Sequence, residues 1–340
     1  MMQISPETQL FIREHSSDDV RVLALQAKKY PDIDMPTAIT QIAGRKVAAE
    51  KIPSWWEIEK IWYPKHLSLE QCSSEITARY KARLLQGDSL TDLTGGFGID
   101  CSFLATGFKS ATYVERQEEL CEIAAHNFPV LNLNHINIKN EDGVTYLQAM
   151  SPVDCLFLDP ARRNEHGGKT VAISDCEPNV AELEELLLQK ANRVMIKLSP
   201  MLDLSLALKE LKQTQEVHIL SVNNECKELL ILLGQTSPAE ISIHCVNLFT
   251  KGTQKEQHFV FTREQEQCSE CTYTDSLETY LYEPNASLLK AGAFRSIAAA
   301  YPVRKLHPNS HLYTSDTFIE NFPGRIFRIV NQCSFNKKEV

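Results

Sequence analysis

The chain has 340 residues, of which 43% are hydrophobic, and a formal net charge of −9 at pH 7. This length allows two or three packed domains, and the apolar content excludes a disordered chain. The acidic balance argues against nonspecific coating of nucleic acid. No run of about 20 apolar residues is present, and the N-terminus lacks a signal-peptide pattern, so we expect a cytoplasmic protein.

Basic residues concentrate towards the C-terminus. Residues 285–340 contain eight Lys and Arg against three acidic residues, a local charge of +5. Any contact with a polyanion should therefore concentrate there. The alternative is that these residues are solvated side chains on an amphipathic surface.

The ten cysteines stand mostly alone in apolar runs, which is typical of reduced, buried thiols. Cys268 and Cys271 form a C-x-x-C, but a zinc site needs about four ligands and no second pair follows. His244 and His258 are weak candidates to complete it. We therefore predict no metal site and interpret the C-x-x-C as part of a polar loop.

Up to about residue 86 the apolar spacing predicts helices only. In "LSLEQCSSEITARYKARLLQG", Ser68 with Gln71 could form a capping box, Ser73 and Ser74 are further cap candidates, and Gly87 is a stop signal. The tryptophans of "PSWWEIEKIWYP" could form a platform for bases, but packing between helices is the favoured interpretation.

From residue 89, short apolar runs alternate with helical patterns, which predicts a parallel sheet wound by helices. Strands are expected at 89–94, 111–115, 134–138, 153–159 and 192–199, and helices at about 99–106, 117–129, 142–149, 179–190 and 202–213. The runs "EVHILSV" and "KELLILLG" follow with too short a connection for a crossover helix, so the last strand must be antiparallel. This arrangement is that of class I S-adenosylmethionine (SAM) methyltransferases rather than of NAD dehydrogenases.

Beyond residue 235, "AEISIHCVNLF" and "QHFVFT" predict a hairpin, and a helix with an N-terminal proline follows near Pro284. Strand character resumes at "GRIFRIV". This region is expected to form a small α+β unit.

The glycines of "DLTGGFGID" follow a strand and open a helix, which is the context of a nucleotide-binding loop. Cys101 replaces the third glycine of G-x-G-x-x-G, so the dinucleotide fingerprint is incomplete. Four carboxylates come at or just past the carboxyl ends of predicted strands, where open α/β sheets bind ligands: Asp92, Glu115, Asp142 and Asp159. Each alone could be a helix cap or a turn residue, most plainly Asp142.

Across residues 70–235 the chain resembles a class I SAM-dependent methyltransferase. The segments "EQCSSEITARYKA", "DLTGGFGID", "LDPARR", "IKLSPMLD", "NNECKELL", "YLYEPNASLLKAGAF" and "FPGR" together resemble a bacterial group of methyltransferases with a ferredoxin-like insert and a C-terminal THUMP-like domain. The resemblance implies domains at 1–75 (helical), 76–238 (methyltransferase), 239–322 (ferredoxin-like) and 323–340 (start of a truncated THUMP-like domain).

The resemblance also implies SAM as cofactor and methylation of RNA, either tRNA or rRNA. Asp92 would meet the methionine ammonium, Glu115 the ribose hydroxyls and Asp142 the adenine amine. The cofactor-binding set is completed by Thr94, Gly95, Gly96, Gly98 and Gly143. Capture of RNA is in doubt for this chain, because the THUMP-like domain should begin where the sequence ends.

"DPAR" stands where amino-group methyltransferases of similar sequence carry an Asp or Asn, two prolines and an aromatic. Asp159 and Pro160 fit that catalytic role, whereas Ala161 and Arg162 depart from it. Arg162 or Arg163 could still stack on a base or hold a phosphate.

Several alternatives remain open. Cys226 could serve as the nucleophile of a pyrimidine-C5 methyltransferase, but lacks the usual flanking pattern. A catalytically idle SAM-fold module that binds RNA or a protein is the main rival. An NAD-linked oxidoreductase is a weaker one, because of the missing third glycine and the antiparallel last strand.

Overall fold

The computed structural model describes residues 4–162, 172–236 and 238–332. The chain divides into two compact units. Unit 1 comprises Met1–Pro160 with Glu182–Met195, and unit 2 comprises Ala161–Ala181 with Ile196–Val340. Among the described residues, no helix has both the length and the apolar character that crossing a bilayer requires.

Unit 1 begins with the predicted helical region. Its helices are α1 (Pro6–Glu14), α2 (Val20–Leu25), α3 (Met35–Lys51), α4 (Pro53–Trp56), α5 (His66–Gln71) and α6 (Glu75–Ala82), with a 3-10 turn at Ala27–Lys29. Ser5 and Asp34 cap α1 and α3 through their side-chain oxygens, each followed by a proline in the first turn. Apolar residues on α1 to α3 form a small buried cluster of Phe11, Leu23, Met35, Ala38 and Ile42.

The segment predicted as one helix after residue 68 is two helices. Ser68 lies inside α5 rather than capping it, and the backbone of Cys72 and Ser74 is extended, so α6 begins only after Ser74. The break has a physical reason, because the Ser73 hydroxyl between the helices donates to the buried Asp100 carboxylate at 2.7 Å.

The wound sheet of unit 1 follows the predicted order. It alternates β1 (Ser89–Asp92), α7 (Ile99–Ala105), β2 (Ser110–Glu115), α8 (Glu118–Val130), β3 (Ile136–Asn140), α9 (Gly143–Ala149) and β4 (Val153–Leu158). β1 pairs in parallel with both β2 and β4, and β2 pairs in parallel with β3. Short strands β5 (Ala161–Arg162) and β6 (Cys176–Glu177), a 3-10 turn (Ile173–Asp175), α10 (Val180–Lys190) and β7 (Ala191–Leu198) come next.

The later strands form the predicted antiparallel hairpin. After α11 (Leu204–Glu210), β8 (Thr214–Val222) turns through Asn223 and Asn224 into the antiparallel β9 (Glu225–Gly234). Both asparagines have positive φ (50° and 67°), as a tight two-residue hairpin turn requires. Residues Leu229–Leu233 of β9 are wholly buried, which explains their unbroken apolar run.

Strands β10 (Ser242–Leu248) and β11 (Glu256–Thr262) form the hairpin predicted after residue 235. This hairpin extends the large sheet, because β10 pairs in parallel with β8, whereas the sequence placed it with the ferredoxin-like unit. The nine-stranded order is β11-β10-β8-β9-β7-β4-β1-β2-β3. The core of this order is the predicted Rossmann-like methyltransferase sheet with its antiparallel last strand.

Unit 2 ends in the predicted small α+β region. It contains α12 (Arg263–Cys268), β12 (Tyr280–Pro284), α13 (Ala286–Ala291), α14 (Phe294–Ala300), β13 (Arg304–Lys305), β14 (Tyr313–Ser315) and β15 (Gly324–Arg328). Its four strands form a separate antiparallel sheet in the order β13-β14-β12-β15.

Candidate functional site

The four predicted carboxylates share one edge of the sheet in unit 1. Asp92 and Glu115 are the last residues of β1 and β2, Asp142 follows the end of β3, and Asp159 directly follows β4. These strands are neighbours and parallel, so their carboxyl ends meet at one edge, where α/β sheets bind ligands.

The glycine loop between β1 and α7 lies at this edge. Gly96 and Gly98 have φ of +54° and +86°, which L side chains rarely adopt. A Cβ at Gly96 would have the Thr94 carbonyl oxygen, 3.8 Å away, as its nearest neighbour, so its backbone borders open space. A Cβ at Gly95 or Gly143 would instead lie 2.2 Å from Tyr113 or from the Leu93 carbonyl oxygen, which gives those glycines packing roles.

Glu115 connects the glycine loop to the end of β2. Its carboxylate, only 8% exposed, accepts hydrogen bonds from the backbone N–H of Gly96 at 2.9 Å and of Gln117 at 2.8 Å. The Tyr113 hydroxyl donates to the Gly96 carbonyl at 2.5 Å, and burial followed by the Glu115 charge raises the pKa of Tyr113 well above its usual value. The Glu115 carboxylate and the Tyr113 hydroxyl thus bind both backbone polar groups of Gly96, its N–H and its carbonyl.

Thr94 connects the same loop to β4. The Asp159 N–H donates to the Thr94 hydroxyl oxygen at 2.6 Å, and the Thr94 N–H donates to Oδ1 of the buried Asp92 at 3.0 Å. The structure thus brings Asp92, Thr94 and Asp159 together through hydrogen bonds to Thr94.

Asp142 caps α9. Its Oδ1 accepts from the N–H groups of Val144 and Thr145, each at 3.0 Å. Asp142 is exposed, and these capping bonds, the alternative raised from the sequence, use Oδ1 alone.

Phe97, in the middle of the glycine loop, was missed as a functional candidate. It is buried against the N-terminal helices, with its ring centroid 5.2 Å from Trp55 and 6.3 Å from Tyr63. Trp55 therefore packs against the loop and is not available as a platform for bases. Trp62 stacks on His126, with the ring centroids 3.7 Å apart. Trp56 is 41% exposed beneath Arg45. The helical region anchors the loop through an apolar contact.

A buried polar cluster attaches α6 to α7. The Lys81 ammonium, with no exposed surface, lies 3.0 Å from an Asp100 carboxylate oxygen and 2.9 Å from the Ser73 hydroxyl. Asp100 is in the first turn of α7, two residues after Gly98. The quoted segments "EQCSSEITARYKA" and "DLTGGFGID" contain all three residues, so the motif was visible but its pairing was not.

The proposed catalytic residues are described in part. Asp159 is half-buried and Pro160 is buried at the end of β4. The backbone of Arg162 belongs to β5 and pairs with Cys176 of β6. The Arg162 side chain and all of Arg163 lie outside the described part of the chain. Cys226 is half-buried, and burial raises the pKa of its thiol to about 11, which disfavours the thiolate needed for pyrimidine-C5 chemistry.

Most of the described basic residues near the C-terminus are exposed, as the solvated-surface alternative expected, but they also have partners within the protein. Lys290 and Lys305 donate to backbone carbonyls, Arg295 donates to the Gln267 carbonyl, and Arg304 and Arg325 pair with Glu278 and Glu283. Arg328 is exposed on β15 beside Phe327.

The sheet order, the antiparallel hairpin of β8 and β9, and the glycine loop beside acidic strand ends define the class I methyltransferase fold. Methyltransferases of this class take their methyl group from SAM. A ferredoxin-like domain model matches residues 280–323, and a search of curated protein sequences gives no match.

Comparison with solved structures identifies the family. The chain is similar to a "putative methyltransferase from Porphyromonas gingivalis W83", with a TM-score of 0.84 and 35% identity over 97% of this chain and 84% of that one. An rRNA methylase from Streptococcus thermophilus matches with a TM-score of 0.34 and 14% identity over 47% and 93% of the chains. A predicted O-methyltransferase, Atu636 of Agrobacterium tumefaciens, gives 0.36 and 16% over 52% and 90%. The chain belongs to the methyltransferase family of the Porphyromonas protein.

Proposed function

We propose that the protein transfers a methyl group from SAM to an amino nitrogen of an RNA base. The observation that carries the cofactor assignment is the fixed position of the glycine loop: Glu115 holds Gly96 N–H, and the backbone at Gly96 borders open space. A zwitterionic nucleoside fits such a cradle, because bare backbone admits close approach and carboxylates attract its ammonium and hydroxyl groups.

The site residues take distinct parts in cofactor binding. Asp92 and Thr94, with the loop glycines, border the methionine end. The unused lone pairs of the Glu115 carboxylate accept the ribose hydroxyls. Oδ2 of Asp142 accepts a hydrogen bond from the adenine amino group, while its Oδ1 caps α9.

Asp159 and Pro160 position the nucleophile. SAM supplies an activated methyl group when bound, so the chain chiefly aligns the target and excludes water. The Asp159 carboxylate accepts a hydrogen bond from the target amine and turns its lone pair towards the methyl group. Thr94, by accepting from the Asp159 N–H at 2.6 Å, fixes the backbone that carries this carboxylate.

RNA is the substrate class favoured by the sequence resemblance, and the Asp-Pro pair after β4 favours an amino nitrogen as the methylated atom. Since most described basic residues near the C-terminus have internal partners, RNA contacts are assigned to Arg162 and to the exposed Arg328 and Phe327 of β15. An arginine and an aromatic ring can hold a phosphate and a base respectively.

The deciding experiment offers methyl-labelled SAM with total RNA, DNA or protein in separate reactions. We expect label in RNA, and Asp159→Ala should reduce its incorporation at least about a hundredfold while the SAM dissociation constant stays within about twofold. Asp159→Asn, which keeps an acceptor oxygen, should lose less. Asp154→Asn, at the opposite end of β4, is the matched control and should retain transfer.

Label in protein or DNA would overturn the RNA assignment alone. SAM binding without transfer to any fraction would favour the idle module, and failure to bind SAM would remove the proposed cofactor site.

A further inference from the structure

Three imidazoles and one carboxylate lie on one face of three adjacent strands in unit 2. His218 of β8 and His244 of β10 are register partners in a parallel pair. Glu216 precedes His218 by two positions, so its side chain projects from the same face. His258 of β11 lies opposite Val246 of β10. Because Val246 is two positions after His244, His258 projects from the same face. We call His218, His244 and His258 the histidine row.

The distances within this histidine row match those of a chelating group. One ligand atom from each of Glu216, His218 and His244 lies within 4.8 Å of the others. His218 Nε2 lies 3.2 Å from Glu216 Oε2, and His244 Nδ1 lies 3.2 Å from His258 Nε2. Ligand atoms around a tetrahedral zinc ion are about 3.4 Å apart, so side-chain movement would have to bring the widest pair of donor atoms closer by about 1.4 Å.

We propose that Glu216, His218 and His244 bind one divalent transition-metal ion of the Zn²⁺ type, with His258 as the fourth ligand. Imidazole nitrogens with one carboxylate oxygen suit this borderline class and not Mg²⁺ or Ca²⁺, which prefer oxygen alone. The bound ion ties β8, β10 and β11 together at one end of the large sheet.

Glu216 and His244 are half-buried and His258 is exposed, so a dissolved ion can reach the row from solvent. His218 is only 2% exposed, and its ring is stacked 4.3 Å from that of His244, with the planes 16° apart. Four donors of this kind gathered on a sheet face form a metal site outside the methyl-transfer residues.

This site differs from the one weighed from the sequence. In the sequence, the thiols of Cys268 and Cys271 were the candidate metal ligands, and His244 and His258 were weak candidates to complete their site. Within the part of the chain that the structure describes, Cys268 and Cys271 belong to no group of three or more metal-ligating side chains.

The test is titration of EDTA-treated full-length protein with Zn²⁺ and Co²⁺ alone, by calorimetry and by the visible absorption of Co²⁺. We expect one ion per chain, tetrahedral Co²⁺ absorption and a raised unfolding temperature. His244→Gln should weaken binding at least about a hundredfold, and His258→Gln about tenfold.

The matched controls are His307→Gln, an exposed histidine of the same unit, and the double variant Cys268→Ser/Cys271→Ser. Both should bind as the unsubstituted protein does. Folding of each variant is checked by circular dichroism in EDTA, and His258→Gln, at an exposed position, keeps the test valid if His244→Gln does not fold. Absence of saturable binding, or equal affinity in a folded His258→Gln and the His307→Gln control, would overturn the proposal.

Discussion

At the scale of single residues, the site depends on side chains that serve the loop and the ligand at once. Glu115 holds Gly96 and Gln117 through backbone N–H groups, and each carboxylate oxygen retains a lone pair for a hydroxyl. The loop is thereby pre-formed, which lowers the entropic cost of binding.

Replacement of Glu115 tests this double role. Glu115→Ala should weaken SAM binding about tenfold to a hundredfold, because charge-assisted hydrogen bonds worth about 1.5–3 kcal/mol are lost. Glu115→Gln, which keeps one acceptor oxygen, should lose less. The measurement is calorimetric SAM affinity, and an unchanged affinity in Glu115→Ala would exclude the ribose assignment.

Replacement of Thr94 tests the positioning of Asp159. Thr94→Val keeps the side-chain shape but removes the acceptor of the Asp159 N–H, so kcat should fall about tenfold, by more than the SAM affinity does. Thr94→Ser keeps a hydroxyl and should restore transfer. If the serine variant is as slow as the valine variant, the hydroxyl is not the positioning group.

At the scale of elements, α6 and α7 are joined by a buried ion pair rather than by apolar contact alone. The break between α5 and α6 releases Ser73 to complete that cluster. A buried charge without its partner is costly, so the start of α7, which follows the glycine loop, is fixed relative to α6.

Lys81→Met should therefore lower the free energy of unfolding by about 3 kcal/mol, because Asp100 loses its buried counter-ion. The double variant Lys81→Met/Asp100→Leu should recover most of that loss. Arg79→Met is the matched control on α6, since Arg79 forms an exposed pair with Glu75 and should cost less than about 1 kcal/mol. The free energies of unfolding are measured by urea denaturation. Equal losses of that free energy in Arg79→Met and Lys81→Met would contradict this account.

At the scale of the whole molecule, protonation of the histidine row couples stability to pH. The pKa of His244 is lowered to about 4 by burial, then by His218 and His258, against a raising contribution from Glu216. In the unfolded chain the group titrates near 6.5. The unfolded state therefore binds more protons below pH 6.5, and stability falls as pH drops towards 4.

We expect the denaturant midpoint, measured in EDTA, to decrease between pH 6.5 and 4 by more in the unsubstituted protein than in His244→Gln. His307→Gln serves as the control. Equal decreases in the two variants would show that His244 does not titrate as stated.

Much of the sheet was predictable because its signals are local. Strand and helix positions follow from apolar runs and their periodicity, and the antiparallel turn of β8 into β9 follows from a connection too short for a helix. The acidic residues at the ends of β1, β2 and β4 followed from the same pattern. Partners distant in sequence were not predictable, since alternation alone does not say which sheet β10 and β11 extend.

The sequence by itself determined the class I methyltransferase fold, the glycine loop and its acidic neighbours, because these depend on residues within a single βα unit and on strand order. Only the tertiary structure decided that Phe97 anchors the loop, that Lys81 pairs with Asp100, and that His218, His244 and His258 form one row. These contacts join residues 14 to 42 positions apart in the chain. They depend on how distant elements pair, which no local propensity encodes.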